Sequence, residues 1–137
     1  MPTRPVHGPG FHHVALRAVD FDKSLAFYAE ACGFQRVYGW GEGDSRAAML
    51  DIGNGDYIEL FAGGKPVADP SAGPLFHFAI RVPDCDAAFD RAVNAGAATQ
   101  MKPENVLLKG DTPVTVRIAF VKGPDGESIE FFQNETL

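Results

Sequence analysis

The chain has 137 residues, a formal net charge of −6 at pH 7 and 45% hydrophobic residues. This length suits one compact domain with a real core. The acidic balance argues against a nucleic-acid partner, because nucleic-acid affinity depends on cationic side chains that neutralise phosphates. The sequence lacks a run of about 18 apolar residues, so we expect no membrane partner. Its two cysteines have no CxxC spacing, which argues against a disulfide framework and favours a cytoplasmic location.

The elements follow one another in two similar series. Residues 1–10 are rich in Pro and Gly, lack the apolar core of a signal peptide, and are predicted to be a flexible lead-in. A single domain is expected over 11–137, with module 1 at about 11–63, a linker at about 62–74 and module 2 at about 75–134. The predicted strands lie near 11–18, 35–40, 47–52, 57–61, 75–82, 98–101, 115–121 and 128–134. One helix follows the first strand of each series, and a long loop is expected over 102–113.

An internal repeat supports this division. The segment HVALRAVDFD, which begins at His13, resembles HFAIRVPDCD, which begins at His77. Each segment leads into a helical pattern that begins near an Asp and ends near a Gly, as N-caps and C-caps require. Further on, GNGDYIELF resembles PDGESIEFF, and this second match aligns Glu59 with Glu130. The chain therefore predicts an α+β fold of two β-α-β-β-β modules in tandem.

Strand alternation places the polar residues of each module on one face. His13 and Arg17 share one face of the first strand, whereas Val14 and Leu16 share the other. His77 and Arg81 follow the same rule in the second module, and each Glu of the repeat lies between apolar neighbours. A half-buried carboxylate needs a cation, hydrogen bonds or a metal ion. His13, Glu59, His77 and Glu130 are therefore candidate ligands for a divalent metal, and imidazole with carboxylate suits Zn, Ni, Co, Fe or Mn.

Other notable residues receive simpler interpretations. His12 aligns with Phe76 and is expected on the opposite strand face from His13, without a function. Arg17 and Arg81 could bind an anionic substrate group or could pair with carboxylates such as Asp20. Most Phe residues are expected in the core, and Phe61 and Phe132 are the better candidates for contact with substrate. These two join the arginines as predicted substrate-binding residues.

At the repeated segments the sequence resembles the glyoxalase / bleomycin-resistance / extradiol-dioxygenase superfamily, also called vicinal oxygen chelate proteins. The matching stretches are HHVALRAVDFDKSLAFYAEACGF, YIELF, HFAIRV and FVKGPDGESIEFF. The resemblance implies paired modules that form a U-shaped, open half-barrel cleft around one divalent metal ion per site. It also implies a homodimer, because modules in this superfamily meet within one chain or between two chains.

The ligand pattern resembles that of glyoxalase I and its isomerase or epimerase relatives. This resemblance implies a lyase or isomerase that transfers a proton next to a carbonyl, with Glu59 or Glu130 as catalytic base and the ion stabilising an enediolate. In glyoxalase I an Arg at the position of Arg17 binds the glutathione carboxylate. Gly63 departs from the family pattern, which has Asn four residues after the second ligand. The alternatives are an extradiol-type dioxygenase and a non-catalytic protein that binds a drug or metabolite.

Overall fold

The computed structural model describes residues 8–137 and divides the chain into two compact units, with the boundary between Pro66 and Val67. Each unit contains one four-stranded mixed sheet and one α-helix. Most of the predicted lead-in, residues 1–7, lies outside the described residues. The predicted α+β fold with two tandem β-α-β-β-β modules is confirmed.

The first unit contains one helix and four strands, with strand order β1-β4-β3-β2 in the sheet. Its elements are β1 His13–Arg17, α1 Phe21–Ala31, β2 Gln35–Trp40, β3 Ala47–Gly53 and β4 Asp56–Phe61. Strands β1 and β4 are parallel, and the other pairs are antiparallel. A short 3-10 turn, Gly43–Ser45, precedes β3.

The second unit repeats this arrangement, with strand order β5-β8-β7-β6. Its elements are β5 Phe78–Arg81, α2 Cys85–Asn94, β6 Ala98–Leu108, β7 Val114–Lys122 and β8 Ser128–Gln133. Strands β5 and β8 are parallel, as β1 and β4 are in the first unit. A 3-10 turn, Pro70–Ala72, lies within the segment that was predicted to be a linker.

The two helices begin at equivalent caps. The carboxylate of Asp20 accepts a hydrogen bond from the backbone N–H of Lys23 at 3.0 Å, and that of Asp84 accepts one from Ala87 at 3.0 Å. Each carboxylate satisfies a donor that the first helical turn leaves without a partner. Past the end of α1, Gly33 has a φ of 73°, a left-handed conformation that glycine adopts without steric cost.

The helix-facing side chains of β4 and β8 form the centres of the two cores. Ile58 and Ile129 are fully buried, and Leu60 and Phe131 are 1% and 2% exposed. This confirms the faces that strand alternation predicted. Cys85 is also fully buried, and burial raises the pKa of its thiol to about 11. A thiol with such a pKa is almost entirely protonated at neutral pH, which is consistent with a packing role.

Strand β6 corrects the prediction of a loop over 102–113. The strand continues to Leu108, although its register against β7 shifts twice, between Thr99 and Met101 and between Met101 and Glu104. Pro103 lies inside the second shift, and β6 is an edge strand, the position where a sheet tolerates proline. The Pro signal that suggested a loop therefore marks a bulge in an outer strand.

In both units an arginine pairs with an Asp in the first turn of the helix, and we did not predict these ion pairs from the sequence. In the first unit Arg46 Nη1 lies 3.1 Å from Asp22 Oδ1. In the second, Arg117 donates from Nε and Nη2 to the two carboxylate oxygens of Asp86, at 2.5 and 2.8 Å. Hydrogen bonds from Arg117 hold the pKa of Asp86 below its ordinary value. The pair therefore favours the folded state when Asp86 is ionised.

We expect Asp86→Asn to lower the melting temperature at neutral pH and to have little effect in acid. Because the folded state lowers the pKa of Asp86, the stabilisation is present above the pKa of the unfolded chain. It is lost as the pH falls through the folded-state pKa. Thermal unfolding of both proteins between about pH 7 and about pH 2 measures the difference. Asp111→Asn, at an exposed position, is the control. If Asp86→Asn lowered the melting temperature by the same amount at every pH, the expectation would be contradicted.

Neither helix approaches the length of about 20 residues that a membrane span requires. Among residues 8–137, no helix is long and apolar enough to cross a bilayer.

Candidate functional site

The first unit brings His13 and Glu59 together on the sheet face away from the helix. Parallel pairing of β1 and β4 sets Ala15 beside Glu59 and His13 beside Tyr57. The Nε2 atom of His13 lies 3.7 Å from Oε2 of Glu59, and their side chains are 38% and 17% exposed. The imidazole and the carboxylate predicted in this module therefore lie side by side and remain open to solvent.

The second unit brings His77 and Glu130 together in the same way and more closely. His77 Nε2 lies 3.1 Å from Glu130 Oε2, with side chains that are 30% and 10% exposed. Burial raises the pKa of Glu130, and the adjacent His77 opposes part of this rise. A carboxylate whose pKa is raised toward neutrality is a better proton acceptor and donor near pH 7. This difference in environment separates two glutamates that the sequence treats as equivalent.

Two aromatic rings pack against the imidazole of His77, and neither contact was predicted from the sequence. Phe76 meets the imidazole edge-to-face with ring centroids 4.8 Å apart, and Phe120 does so at 5.3 Å. Phe120 is the register partner of Glu130 on the neighbouring strand, so it shares the face of the pair. Strand pairing, once known, would have identified Phe120 as a neighbour of the histidine.

The structure corrects the expectation that His12 points away from His13. The Nδ1 atoms of the two rings lie 2.9 Å apart, and the His12 ring also lies against Tyr57 with centroids 5.1 Å apart. β1 begins at His13, so His12 precedes the strand and strand alternation does not fix its direction. His12 is therefore a direct neighbour of a predicted ligand.

Each His–Glu pair suits a divalent metal by the chemistry of its donors. Imidazole nitrogen and carboxylate oxygen ligate zinc at about 2.1 Å, so two adjacent ligands of one ion lie about 3 Å apart. The donor atoms of the two pairs are 3.7 and 3.1 Å apart, close to that spacing. Among residues 8–137, however, no three or more His, Cys, Asp or Glu side chains are grouped so that they could hold a metal ion. The structure thus places the predicted ligands as two His–Glu pairs, one in each unit.

Beside the first pair, aromatic residues and one arginine form a wall on the same face. The guanidinium of Arg17 lies 5.8 Å from the centroid of the Phe61 ring. Trp40 meets Phe61 edge-to-face at 6.1 Å, and Tyr38 lies 5.7 Å from Trp40. Tyr38 and Trp40 are 64% and 39% exposed and were missed in the sequence, although they alternate on β2 as side chains of one face do. We call these four residues the aromatic wall.

In the second unit, Arg81 and Phe132 are register partners on β5 and β8. Arg81 lines an open groove of about 920 Å³ that contains neither member of the second His–Glu pair. Polar side chains of this groove have partners inside the chain, because Arg117 binds Asp86 and Gln133 accepts the N–H of Cys85. The face with the His–Glu pair is therefore the better candidate site.

Within residues 8–137 neither Arg17 nor Arg81 forms an ion pair, so the proposed pairing with carboxylates is not seen.

Gly63 occupies a tight turn after β4. Its φ is 75°, and a Cβ atom at this position would lie 2.9 Å from the carbonyl oxygen of Asp44. A side chain therefore requires the backbone to shift here. Glycine therefore allows the turn after β4 to pack closely against Asp44.

Comparison with known proteins agrees with the fold and the repeat. Residues 10–131 match the Glyoxalase/Bleomycin resistance protein/Dioxygenase superfamily. A probable lactoylglutathione lyase of Vibrio cholerae is 36% identical over 129 residues, which cover 90% of this chain and 89% of that protein. The uncharacterized protein YaeR of Escherichia coli is 33% identical, over 89% of this chain and 94% of that one.

Solved structures show the same fold at lower identity. Glyoxalase I from Zea mays superposes with a TM-score of 0.69 at 23% identity; the match covers 90% of this chain and spans only 44% of the maize chain. A glyoxalase/bleomycin resistance protein/dioxygenase from Alicyclobacillus acidocaldarius superposes with a TM-score of 0.68 at 20% identity and covers 90% of both chains. With its repeated modules and its match over most of its length, the chain belongs to the Glyoxalase/Bleomycin resistance protein/Dioxygenase superfamily.

Proposed function

We propose that the protein is a divalent-metal-dependent lyase or isomerase of glyoxalase type, which transfers a proton next to a carbonyl group of a small substrate. The observation that carries this proposal is the His–Glu pair that recurs on corresponding faces of the two units. The similarity to proteins named probable lactoylglutathione lyase supports the same class of reaction.

In this proposal the metal ligands are His13 and Glu59 in the first unit and His77 and Glu130 in the second. Their donor set suits Zn, Ni, Co, Fe or Mn. When bound, such an ion polarises a carbonyl oxygen and stabilises the negative charge that develops on it during the reaction. The partial burial of both glutamates favours this role, because a half-buried carboxylate is costly without a cation.

Glu130 is our candidate for the catalytic base, and Glu59 is the second candidate. A carboxylate oxygen of Glu130 would take the proton from the carbon next to the carbonyl and deliver it to a neighbouring carbon. Burial raises the pKa of Glu130, which brings its proton affinity closer to that needed for transfer in both directions near neutral pH. Phe120, which packs edge-to-face on His77, would help to exclude water from this side of the site.

The aromatic wall supports a role for Arg17 and Phe61 in substrate binding. The guanidinium of Arg17 has no ion-pair partner among the described residues. It is therefore available to bind an anionic group of the substrate. Phe61 offers apolar surface beside it. Arg81 and Phe132 hold equivalent places on β5 and β8, and we assign them the same role in the second unit. The substrates to test are a glutathione hemithioacetal and, because Gly63 stands where the family pattern has Asn, other hydroxy-carbonyl compounds and acyl thioesters.

We further propose that the protein acts in the cytoplasm as a homodimer. The family resemblance supports association of two copies, since superfamily modules meet within or between chains. Analytical ultracentrifugation of the purified protein measures its mass directly.

The test of the proposed function combines metal analysis with a substrate screen. Elemental analysis of the purified protein is expected to find a bound divalent metal, and chelation is expected to remove activity that the same metal restores. The screen contains hemithioacetals, acyl thioesters and hydroxy-ketones, with a catechol and an oxygen electrode to detect dioxygenase activity. Full activity of metal-free protein would overturn the proposal. Oxygen uptake with catechol would favour the dioxygenase, and ligand binding without metal would favour a binding protein.

A further inference from the structure

The contact between His12 and His13 restricts where their protons can lie. A hydrogen bond between the two Nδ1 atoms, which are 2.9 Å apart, needs an N–H on one ring and a lone pair on the other. A neutral imidazole carries one N–H, and the other nitrogen carries the lone pair that can bind a metal. The partner of Nδ1 therefore determines whether Nε2 of His13 is available as a ligand.

The orientation of His13 identifies Nε2 as its ligating atom. Nε2 is the nitrogen that faces Oε2 of Glu59, the other predicted ligand of the first unit. Among residues 8–137, the only hydrogen-bond partner found for Nδ1 of His13 is the His12 ring. For Nε2 to present a lone pair, Nδ1 of His13 must carry the proton and donate it to His12, which then carries its own proton on Nε2.

We propose that His12 is a positioning residue that accepts the Nδ1–H of His13 and so holds this ring in the tautomer and rotation that leave Nε2 free for a metal ion. This inference rests on the proposed function of the His–Glu pair. His12 acts through His13 and touches neither substrate nor ion.

β4 holds the His12 ring in place for this role. The backbone N–H of Tyr57 donates to the carbonyl of His12 at 2.8 Å, and the Tyr57 ring lies against the His12 ring. Main-chain and side-chain contacts with one residue thus fix His12, although it is exposed to solvent. Exposure lets water compete for the hydrogen bond, so the expected effect lies toward the lower end of the range for residues that orient metal ligands.

The second unit provides an internal comparison. At the position equivalent to His12 it has Phe76, which touches His77 through a ring edge and offers no hydrogen-bond acceptor. His77 is instead oriented by two aromatic rings and by the closer contact with Glu130. In both units the preceding ring packs edge-to-face on the histidine, with centroids 5.2 Å apart for His12 and 4.8 Å apart for Phe76, and the first unit adds a hydrogen bond to this packing.

The test compares His12→Phe, which copies the second unit, with His12→Asn, whose amide oxygen can occupy the place of the accepting Nδ1. Nitrogen-15 NMR of metal-free protein reports the tautomer of His13 directly. We expect the Nδ1–H form in the wild type and in His12→Asn, and its loss in His12→Phe. Titration calorimetry with Zn²⁺ is expected to show affinity weakened about 10-fold in His12→Phe and largely restored in His12→Asn.

Phe11→Ala, at the exposed residue before His12, is the control and is expected to match the wild type in both measurements. The same His13 tautomer in wild type and His12→Phe would overturn the proposal, as would an equal loss in His12→Asn and His12→Phe. The tautomer is measured without metal, so failure of the wild type to bind Zn²⁺ would count against the proposed function and leave the positioning role to be decided by NMR.

Discussion

Glu130→Gln is expected to lower turnover by about 10² to 10⁴-fold, the range that a positioned acid or base contributes. The amide keeps the shape of the side chain but cannot take up a proton, so catalysis should be lost with little change in packing. Stability is not expected to fall, because burial disfavours the ionised Glu130 that the substitution removes. Initial rates at saturating metal, with thermal unfolding of the same samples, check both expectations.

Glu59→Gln is the matched comparison for Glu130→Gln. Its carboxylate lies at the equivalent place on β4 but is more exposed, at 17% against 10%. We expect its main effect to be weaker metal binding, with a smaller loss of turnover once metal is saturating. Wild-type turnover in Glu130→Gln would contradict its assignment as base. A larger loss in Glu59→Gln would transfer that role to Glu59.

Phe131→Ala is expected to lower the free energy of unfolding by about 3 to 5 kcal/mol. Phe131 is 2% exposed on the helix-facing side of β8, so its removal leaves a cavity that the surrounding strands and helix fill only in part. A loss of this size is a large fraction of the stability of an ordinary domain, about 5 to 15 kcal/mol. Chemical denaturation monitored by circular dichroism measures it.

The control for Phe131→Ala is the same substitution at Phe11, which is 67% exposed. Substitutions at such surface positions usually change stability by no more than about 0.5 kcal/mol. Equal losses in the two variants would show that Phe131 does not occupy the core position described for it.

Much of the fold could be predicted because its sequence pattern occurs twice in the chain. One alternation of apolar and polar residues does not establish a strand by itself, but the match between the segments at His13 and His77 supports a strand in both places and aligns their residues. Strand alternation then places each Glu of the repeat on the face of its histidine, which the 3.7 and 3.1 Å contacts agree with. Local caps such as Asp20 depend on short-range chemistry and were predictable to within two residues.

The features that escaped prediction depend on contacts between distant parts of the chain. The pair between Asp86 and Arg117 joins a helix to a strand 31 residues away, and local pattern does not specify such a partner. The contact of His12 with His13 depends on the strand beginning at His13, two residues later than predicted. The different environments of Glu59 and Glu130 come from neighbouring strands and from packing that periodicity does not describe.

The long outer strand β6 has a consequence for behaviour in concentrated solution. A regular edge of 11 residues would present a row of unpaired backbone groups to which a strand of another molecule could add. In β6 the two register shifts interrupt that row, and Pro103 removes a donor from it. Lys102 and Glu104, both exposed, add charges on either side. The residues that made β6 difficult to recognise thus oppose the addition of another molecule's strand at this edge of the sheet.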